Sequence, residues 1–204
     1  MFSTLRKLTI ADVFTISNLF FGFLAVITGN IRYIFISAIM DGLDGMVARS
    51  AGSGEFGKEL DSLADFFSFG FVPAFFLLKF YADATALAVA FFYVCCAMLR
   101  LARFNVTESR NFIGLPVTAS ALLLSSVIVC GKPELVLYLI LPLSLAMICD
   151  ITYPKIRSEK ILLPASIFVV LAFFGQAVPL AVMCASYSIL PLFRNLPGVR
   201  ELWG

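Results

Sequence analysis

The sequence has 204 residues, of which 61% are hydrophobic and 14% are charged, and its mean hydropathy is +0.99. Soluble domains are about 45–50% apolar and about 25% charged, so a single water-soluble core is excluded. The formal net charge of +2 says little by itself, and the absence of histidine excludes any histidine base, nucleophile or metal ligand. No hydrophilic stretch is long enough to fold alone, so residues 1–204 are interpreted as a single membrane-embedded domain.

The predicted elements begin with a basic segment that contains Arg6 and Lys7. The apolar run after it continues past Asn18 without a small-residue cleavage site, which favours a first membrane pass over a signal peptide. We expect a short helix on the cytoplasmic surface before this pass.

Eight predicted spans follow one another along the chain, since a spanning helix needs about 20 mostly apolar residues. Short breaks separate them, so neighbouring helices should be antiparallel in an all-α polytopic membrane bundle. The seventh span is short, and the five cysteines, all in apolar stretches, are interpreted as small buried residues. The spans are 11–29, 31–49, 60–80, 84–103, 114–131, 133–151, 161–176 and 178–194.

Lysine and arginine are distributed unequally between alternate loops. With eight passes both termini lie on one side, and that side carries 12 of the 15 basic residues. The positive-inside rule then places both termini in the cytoplasm, and dropping any one pass would spoil the asymmetry. The 12 residues are Arg6, Lys7, Arg49, Lys58, Arg100, Arg103, Arg110, Lys155, Arg157, Lys160, Arg194 and Arg200, and the other three are Arg32, Lys79 and Lys132.

Four aspartates stand at helical spacing on the second and third predicted helices. Asp41 and Asp44 are three residues apart, and Asp61 and Asp65 are four apart, so each pair shares one face of its helix. A short loop joins the two helices as an antiparallel pair. The sequence therefore predicts that four carboxylates converge near the cytoplasmic side.

Such a cluster needs compensation inside a membrane. Each charged aspartate near the bilayer centre costs about 2.5–3.5 kcal/mol, so four would cost about 10–14 kcal/mol. Arg49 can offset at most one charge, whereas hard divalent cations bound by carboxylate oxygens would offset the rest. Two such ions form a clamp suited to phosphoryl transfer. A cation transporter is the alternative, but the chain shows no internal repeat, and Arg49 beside the acids disfavours a cation pathway.

The spacing of these residues resembles the signature of the CDP-alcohol phosphatidyltransferases. The pattern is Asp41-x-x-Asp44-Gly45-x-x-Ala48-Arg49, a spacer, and then Gly57-x-x-x-Asp61-x-x-x-Asp65. The seven-residue spacer, Ser50 to Phe56, is one residue shorter than is usual for the family, and we expect a loop to tolerate this difference.

The resemblance implies a role for each matching residue. Asp41, Asp44 and Asp61 would be ligands of a two-metal site for Mg²⁺ or Mn²⁺, and Asp65 would be the fourth ligand and the general base. The residues implied to cradle the CDP moiety are Gly45, Ala48 and Arg49. The segment Thr15-Ile-Ser-Asn18 resembles a first-helix element near the nucleotide, although a lone asparagine on a helix is otherwise typical of a packing hydrogen bond.

Two further segments are similar to the phosphatidylserine synthase branch of this family. One runs from Asp61 through Ser68 to Ala74, and the other runs from Arg100 to Pro116. This similarity implies L-serine as the acceptor. The same chemistry with glycerol phosphate or an inositol derivative remains the alternative.

Arg100 and Arg103 are predicted to share a face at the cytoplasmic end of the fourth span. They can be interpreted as snorkelling anchors or as ligands for a phosphate or a carboxylate, which suit a planar guanidinium. The family resemblance favours the second interpretation.

The implied partners and location follow from the same resemblance. We expect a CDP-lipid donor (diacylglycerol or its archaeal ether analogue), L-serine and the lipid bilayer, with a homodimer left open and no nucleic acid. The protein should be a multi-pass protein of the cell membrane whose active site lies near the cytoplasmic face.

Overall fold

The computed structural model describes residues 8–52, 54–107, 112–154 and 159–193, and for residue 51 and residues 159–164 it describes the main chain alone. Helices dominate this part of the chain. They are α1 (Ile10–Thr28), α2 (Tyr33–Ala51), α3 (Gly57–Asp65), α4 (Val72–Phe80), α5 (Ala84–Val106), α6 (Val117–Val129), α7 (Pro133–Ile148), α8 (Glu159–Phe173) and α9 (Val178–Ile189), with a 3₁₀ turn at Leu190–Phe193.

Each of the eight predicted spans coincides with a helical segment. Three helical segments in the described ranges are long and apolar enough to cross a bilayer: Ile10–Thr28, Gly57–Phe80 and Ala84–Val106. Three shorter apolar helices are Val117–Val129, Pro133–Ile148 and Val178–Phe193. The chain is therefore a helical protein whose long apolar helices are consistent with a membrane protein, while the count of eight passes stays a prediction. The predicted surface helix and both termini lie outside the described residues.

Local signals set the ends of α1. The side chain of Asp12 accepts hydrogen bonds from the Thr9 backbone N–H (2.6 Å) and the Thr9 hydroxyl (2.9 Å), which fixes the first turn. At the other end Gly29 has a φ of 65°, and its N–H bonds back to carbonyls of the last turn. Glycine suits this left-handed position because it has no Cβ.

A π-helical segment, Phe66–Phe71, joins α3 to α4 and was not predicted. Pro73 follows it and has no N–H to offer the carbonyl oxygen of Phe69. The hydroxyl of Tyr93 on α5 donates a hydrogen bond to that oxygen instead, at 3.0 Å. The wide turn is thus held by a neighbouring helix, and it lies directly after Asp65.

The helices pack around one apolar core. α1 packs along α2, α5 packs against α7, and α6 lies against α9. Phe35, Phe69 and Tyr93 are among the largest fully buried side chains. Large apolar side chains such as Phe20 and Phe91 are exposed on the outside, as expected for helices that face lipid.

A two-stranded antiparallel sheet, β1 (Phe112–Ile113) with β2 (Thr152–Tyr153), joins the α5–α6 connection to the α7–α8 connection. The all-α prediction missed it. Burial raises the pKa of Tyr153 to about 12, so the phenol keeps its proton at neutral pH and donates to the Ser188 carbonyl oxygen at 3.1 Å. This two-stranded sheet, named the β-strap, therefore joins two loops to the end of α9.

Candidate active site and metal centre

The aspartates of α2 and α3 lie close together, next to the first half of α1. α1 packs closely against both α2 and α3, which barely touch each other. One carboxylate oxygen from each of Asp41, Asp44 and Asp61 lies within 4.8 Å of the other two. The predicted convergence is therefore confirmed for these three side chains, which reach across the gap between two helices.

Two polar side chains of α1 donate hydrogen bonds to the aspartates. The hydroxyl of Thr15 donates a hydrogen bond to Asp44 Oδ2 at 2.8 Å, and Asn18 Nδ2 donates to Asp65 Oδ1 at 3.0 Å. Thr15 and Asn18 are one helical turn apart and both are buried. They orient one carboxylate from each of the two acidic helices.

The backbone of α1 is fixed at the same level. The carbonyl oxygen of Asn18 accepts hydrogen bonds from the hydroxyls of Ser37 (2.9 Å) and Ser68 (3.1 Å). Gly22 lies against Ser68, and a Cβ at Gly22 would collide with the Ser68 hydroxyl. Close packing here sets the spacing between α1, α2 and the π segment, and hence the position of Asn18.

Asp65 differs from the other three aspartates in its surroundings. It is outside the group of three clustered oxygens. Its side chain contacts Asp41 and accepts the hydrogen bond from Asn18. The structure thus places Asp65 beside the cluster, held by an amide, in a position compatible with a base as well as with a fourth ligand.

Arg100 lies inside the bundle next to the acids. Its side chain is 6% exposed, and it is close enough to Asp65 and Asp41 for their charges to interact. The guanidinium carbon lies 5.2 Å from the ring centre of Phe104 and 5.3 Å from that of Phe112. Contact with two aromatic rings stabilises a buried cation.

The Nε atom of Arg100 is buried and has no hydrogen-bond partner in the described structure. Asn18 Oδ1 is likewise buried and has no hydrogen-bond partner in the described structure. Leaving buried polar atoms unpaired costs free energy. A buried donor and a buried acceptor near one acidic cluster therefore indicate a binding site for a polar ligand.

Arg103, which was predicted to share the role of Arg100, has different partners. Its Nη1 donates to Asp150 Oδ1 at 2.8 Å, and its Nη2 donates to the carbonyl oxygens of Met147 (3.2 Å) and Cys149 (3.0 Å). These carbonyls belong to the C-terminal end of α7, where a cation is favourable. The contacts assign Arg103 to the joint between α5 and α7.

The residues predicted to cradle the nucleotide lie on the exposed end of α2. Arg49 is exposed, and its Nη1 lies 3.3 Å from the position that a Cβ on Gly45 would occupy. Ala48 is half-buried. A Cβ on Gly42, one turn before Gly45, would meet no atom within 4 Å. This face of α2 is open beside the aspartates and has room for a ligand.

The comparison with known proteins matches this arrangement. The family model described as CDP-alcohol phosphatidyltransferase matches residues 6–185, which is most of the chain. The chain belongs to the CDP-alcohol phosphatidyltransferase family.

Curated relatives of this phosphatidyltransferase chain carry serine in their names. A CDP-diacylglycerol–serine O-phosphatidyltransferase of Methanocaldococcus jannaschii is 36% identical over 97% of this chain and 100% of its own. One of Helicobacter pylori is 32% identical over 91% of this chain and 90% of its own. An archaetidylserine synthase of Methanothermobacter thermautotrophicus is 32% identical over 73% of this chain and 71% of its own.

The donor set of this phosphatidyltransferase fits a hard divalent cation. Asp41, Asp44 and Asp61 offer only oxygen ligands, which Mg²⁺ and Mn²⁺ prefer. Thr15 orients one of these ligands through a hydrogen bond, as supporting residues commonly do at metal sites. The three carboxylates could therefore hold a metal ion.

Sequence reasoning overlooked several residues of the site. Thr15 begins the first-helix segment that ends at Asn18, and no role was predicted for it. It nevertheless stands three residues before Asn18 on the same helix face. No sequence pattern indicates a role for Ser37, because it contacts Asn18 from another helix. Phe104 stands four residues after Arg100 on the same helix face, a spacing that indicates contact, whereas Phe112 reaches Arg100 from the β-strap.

We predict that Thr15→Val weakens Mn²⁺ binding. The change keeps the shape of the side chain and removes the hydroxyl that orients Asp44. Loss of such a supporting hydrogen bond typically lowers metal affinity by about 10–100-fold. Titration of Mn²⁺ followed by electron paramagnetic resonance measures the effect in the purified protein.

Thr28→Val is the matched control, because the Thr28 hydroxyl donates only to Leu24 of its own helix at 2.6 Å. It should bind Mn²⁺ like the unmodified chain. Equal Mn²⁺ affinity for the two variants would contradict a role for Thr15 at the metal centre.

Proposed function

We propose that this protein transfers a phosphatidyl-type group from a CDP-linked lipid, CDP-diacylglycerol or its ether analogue, to the hydroxyl of L-serine and releases CMP. The observation that carries the proposal is the juxtaposition of three clustered carboxylates with a separate fourth, Asp65, and a buried Arg100. Serine, rather than glycerol phosphate or an inositol derivative, is supported by the names of relatives that cover nearly the whole chain.

Asp41, Asp44 and Asp61, with Asp65 as a further ligand, would hold Mg²⁺ or Mn²⁺ in a two-metal site. When bound, such ions neutralise the diphosphate of the donor and polarise the phosphorus under attack. The open face at Gly45, Ala48 and Arg49 would receive the CDP moiety, and Asn18 Oδ1 would accept a hydrogen bond from it.

Asp65 would act as the base of the reaction. It takes the proton of the serine hydroxyl while the serine oxygen forms a bond to the lipid-side phosphorus. The bond from that phosphorus to the bridging oxygen breaks, and CMP leaves with the electron pair. Asn18 holds Asp65 Oδ1, which leaves the other carboxylate oxygen to accept the proton.

Arg100 would bind an anionic group of a substrate, either the carboxylate of serine or the phosphate of the donor. Its guanidinium lies against two aromatic rings, and a planar guanidinium suits bidentate binding of such groups. In this proposal Arg103 supports the site only indirectly, by joining α5 to α7.

The proposed topology has eight passes with both termini and the acidic cluster on the cytoplasmic side. Its support is the 12 to 3 distribution of basic residues between alternate loops. In the described ranges Lys58 and Arg103 lie at the same end of the bundle as the aspartates, whereas Arg32, Lys79 and Lys132 lie at the other end. A membrane-embedded site at the cytoplasmic face admits both the lipid chains and the soluble acceptor.

We predict that CMP release by the purified protein requires a CDP-lipid, a divalent cation and serine together. EDTA should abolish release, because clustered carboxylates bind the diphosphate only through cations, and Mg²⁺ or Mn²⁺ should restore it. An assay that compares serine, glycerol phosphate and inositol derivatives tests the acceptor. Turnover with glycerol phosphate but not with serine would overturn the proposal, and full activity in metal-free buffer would overturn the metal site.

We predict that Asp65→Asn largely abolishes transfer but keeps donor binding at least in part. Loss of a general base typically costs about 10²–10⁴-fold in rate, while the asparagine can still accept the hydrogen bond from Asn18. Asp41→Asn is the comparison, because it should lose metal, donor binding and transfer together. Titration of CDP-lipid and Mn²⁺ with both variants decides, and equally complete loss of binding in both would show that Asp65 only coordinates.

We predict different effects for Arg100→Lys and Arg103→Lys. Arg100→Lys keeps the charge but loses the planar set of N–H donors, so KM for serine or kcat should worsen by about tenfold or more. Arg103→Lys should mainly lower the thermal stability, because it loses contacts to the end of α7. Steady-state kinetics and thermal unfolding of both variants provide the readouts, and unchanged kinetics for Arg100→Lys would remove Arg100 from the site.

A further inference from the structure

A cavity of about 320 Å³ lies at the end of the bundle opposite the acidic cluster. It opens beside the loop that joins α1 to α2, and Arg32 and Lys79 line it. Lys79 follows Asp65 by 14 residues along a continuous helical segment, and Arg32 precedes Asp41 by nine. At 1.5 Å per residue these separations are roughly 21 Å and 14 Å, so the cavity is distinct from the proposed active site.

Two cations face this cavity without an acidic partner. Lys79 Nζ donates to the Gly29 carbonyl oxygen at 3.0 Å, which leaves two of its three N–H groups available. The Arg32 guanidinium lies over Gly175, with Nη2 3.2 Å from the place of a Cβ there. Within the described ranges neither side chain forms a salt bridge, and both are exposed.

Two acidic residues occur in the chain near this end of the bundle, and neither neutralises Arg32 or Lys79. Asp83 accepts a hydrogen bond from Ala86 N at 2.9 Å and caps α5, and Glu134 lies in the first turn of α7. Neither lines the cavity. The cavity therefore presents two positive charges and solvent-exposed N–H donors to any group that enters it.

Apart from the Gly29–Asn30 turn, the remaining wall of the cavity is apolar. Ile31 and Phe76 are buried, Phe80 is 46% exposed, and Ile128 lies at the end of α6. Snorkelling explains why a lysine or arginine stands at a membrane surface, but it does not explain a cavity between two such cations with an apolar wall. A ligand that joins an anionic group to a hydrocarbon chain satisfies both parts of the wall.

We propose that this cavity binds the phosphate of an anionic lipid headgroup, with part of the lipid chain against the apolar wall. The proposed topology places the site in the leaflet opposite the acidic cluster, so its occupant is neither the donor nor the product in the proposed active site. Charge-assisted hydrogen bonds from Arg32 and Lys79 hold the phosphate. The site depends on the geometry of this end of the bundle and not on the reaction.

Native mass spectrometry of the full chain in detergent tests this site, with phosphatidylglycerol as the probe. Arg32→Gln and Lys79→Gln should each weaken binding by about tenfold or more, since each removes hydrogen bonds to a charged group. Arg32→Lys keeps the charge and should retain part of the affinity. Lys132→Gln is the matched control, because Lys132 is the third basic residue at this end and does not line the cavity, so it should bind like the unmodified chain.

Two further arms identify the source of the phosphate. Phosphatidylcholine, whose headgroup has no net charge, should bind more weakly than phosphatidylglycerol, and millimolar inorganic phosphate should not displace the lipid. Equal retention of phosphatidylglycerol by the unmodified chain and by the Arg32→Gln/Lys79→Gln variant would overturn the proposal. Displacement by inorganic phosphate would show a site for a free anion and would overturn the assignment to a lipid.

CMP release in the same variants separates this inference from the proposed function. Arg32→Gln and Lys79→Gln lie far from the aspartates and should retain transfer in detergent. A failure of the lipid titration leaves the acceptor assay unaffected, and a failure of the acceptor assay leaves the lipid titration unaffected.

Discussion

Repulsion between carboxylates in a low-dielectric bundle is the constraint to which the other features of this site respond. Oxygens of Asp41, Asp44 and Asp61 lie within 4.8 Å of one another, and like charges at such distances repel strongly when water is scarce. Thr15 and Asn18 each donate to one acidic side chain. These hydrogen bonds and the nearby Arg100 reduce the cost only in part, which leaves a strong demand for cations. Under the proposed function, this demand would couple the binding of the metal to the binding of the donor's diphosphate.

The supporting layer under the cluster is a single helical turn of α1. Its side chains orient the acids, and its Asn18 carbonyl oxygen is held by two serines from two other elements. A displacement of α1 by a fraction of an ångström would therefore alter both acidic helices at once. This explains why small residues such as Gly22 occur where α1 meets the π segment, since a larger side chain would force the layers apart.

Much of this arrangement could be predicted from the sequence because it depends on periodicity. Apolar runs of fixed length predicted the helices, and spacings of three and four residues predicted that each pair of aspartates shares a helix face. What escaped prediction depends on contacts between residues far apart in the chain. Arg103 has the same residue type and face as Arg100, yet its partners at Met147 and Asp150 lie more than forty residues away. The β-strap and the contact of Phe112 with Arg100 likewise arise only when separate loops meet.

The π segment after Asp65 has a consequence for the length of the third span. A π turn accommodates one more residue than an α turn, so this span carries a built-in insertion between its acidic half and its apolar half. Deleting one residue within Phe66–Phe71 would remove this insertion and continue the span as regular α-helix, with its two halves in nearly the same rotation. Deleting one residue between Val72 and Phe75, where the helix is α-helical, would instead rotate the residues beyond the deletion by about 100° and move Phe76 and Leu77 out of the core. The wide turn is therefore a position at which this span can tolerate a change of length, whereas the α-helical parts beside it tolerate substitutions far better than changes of length.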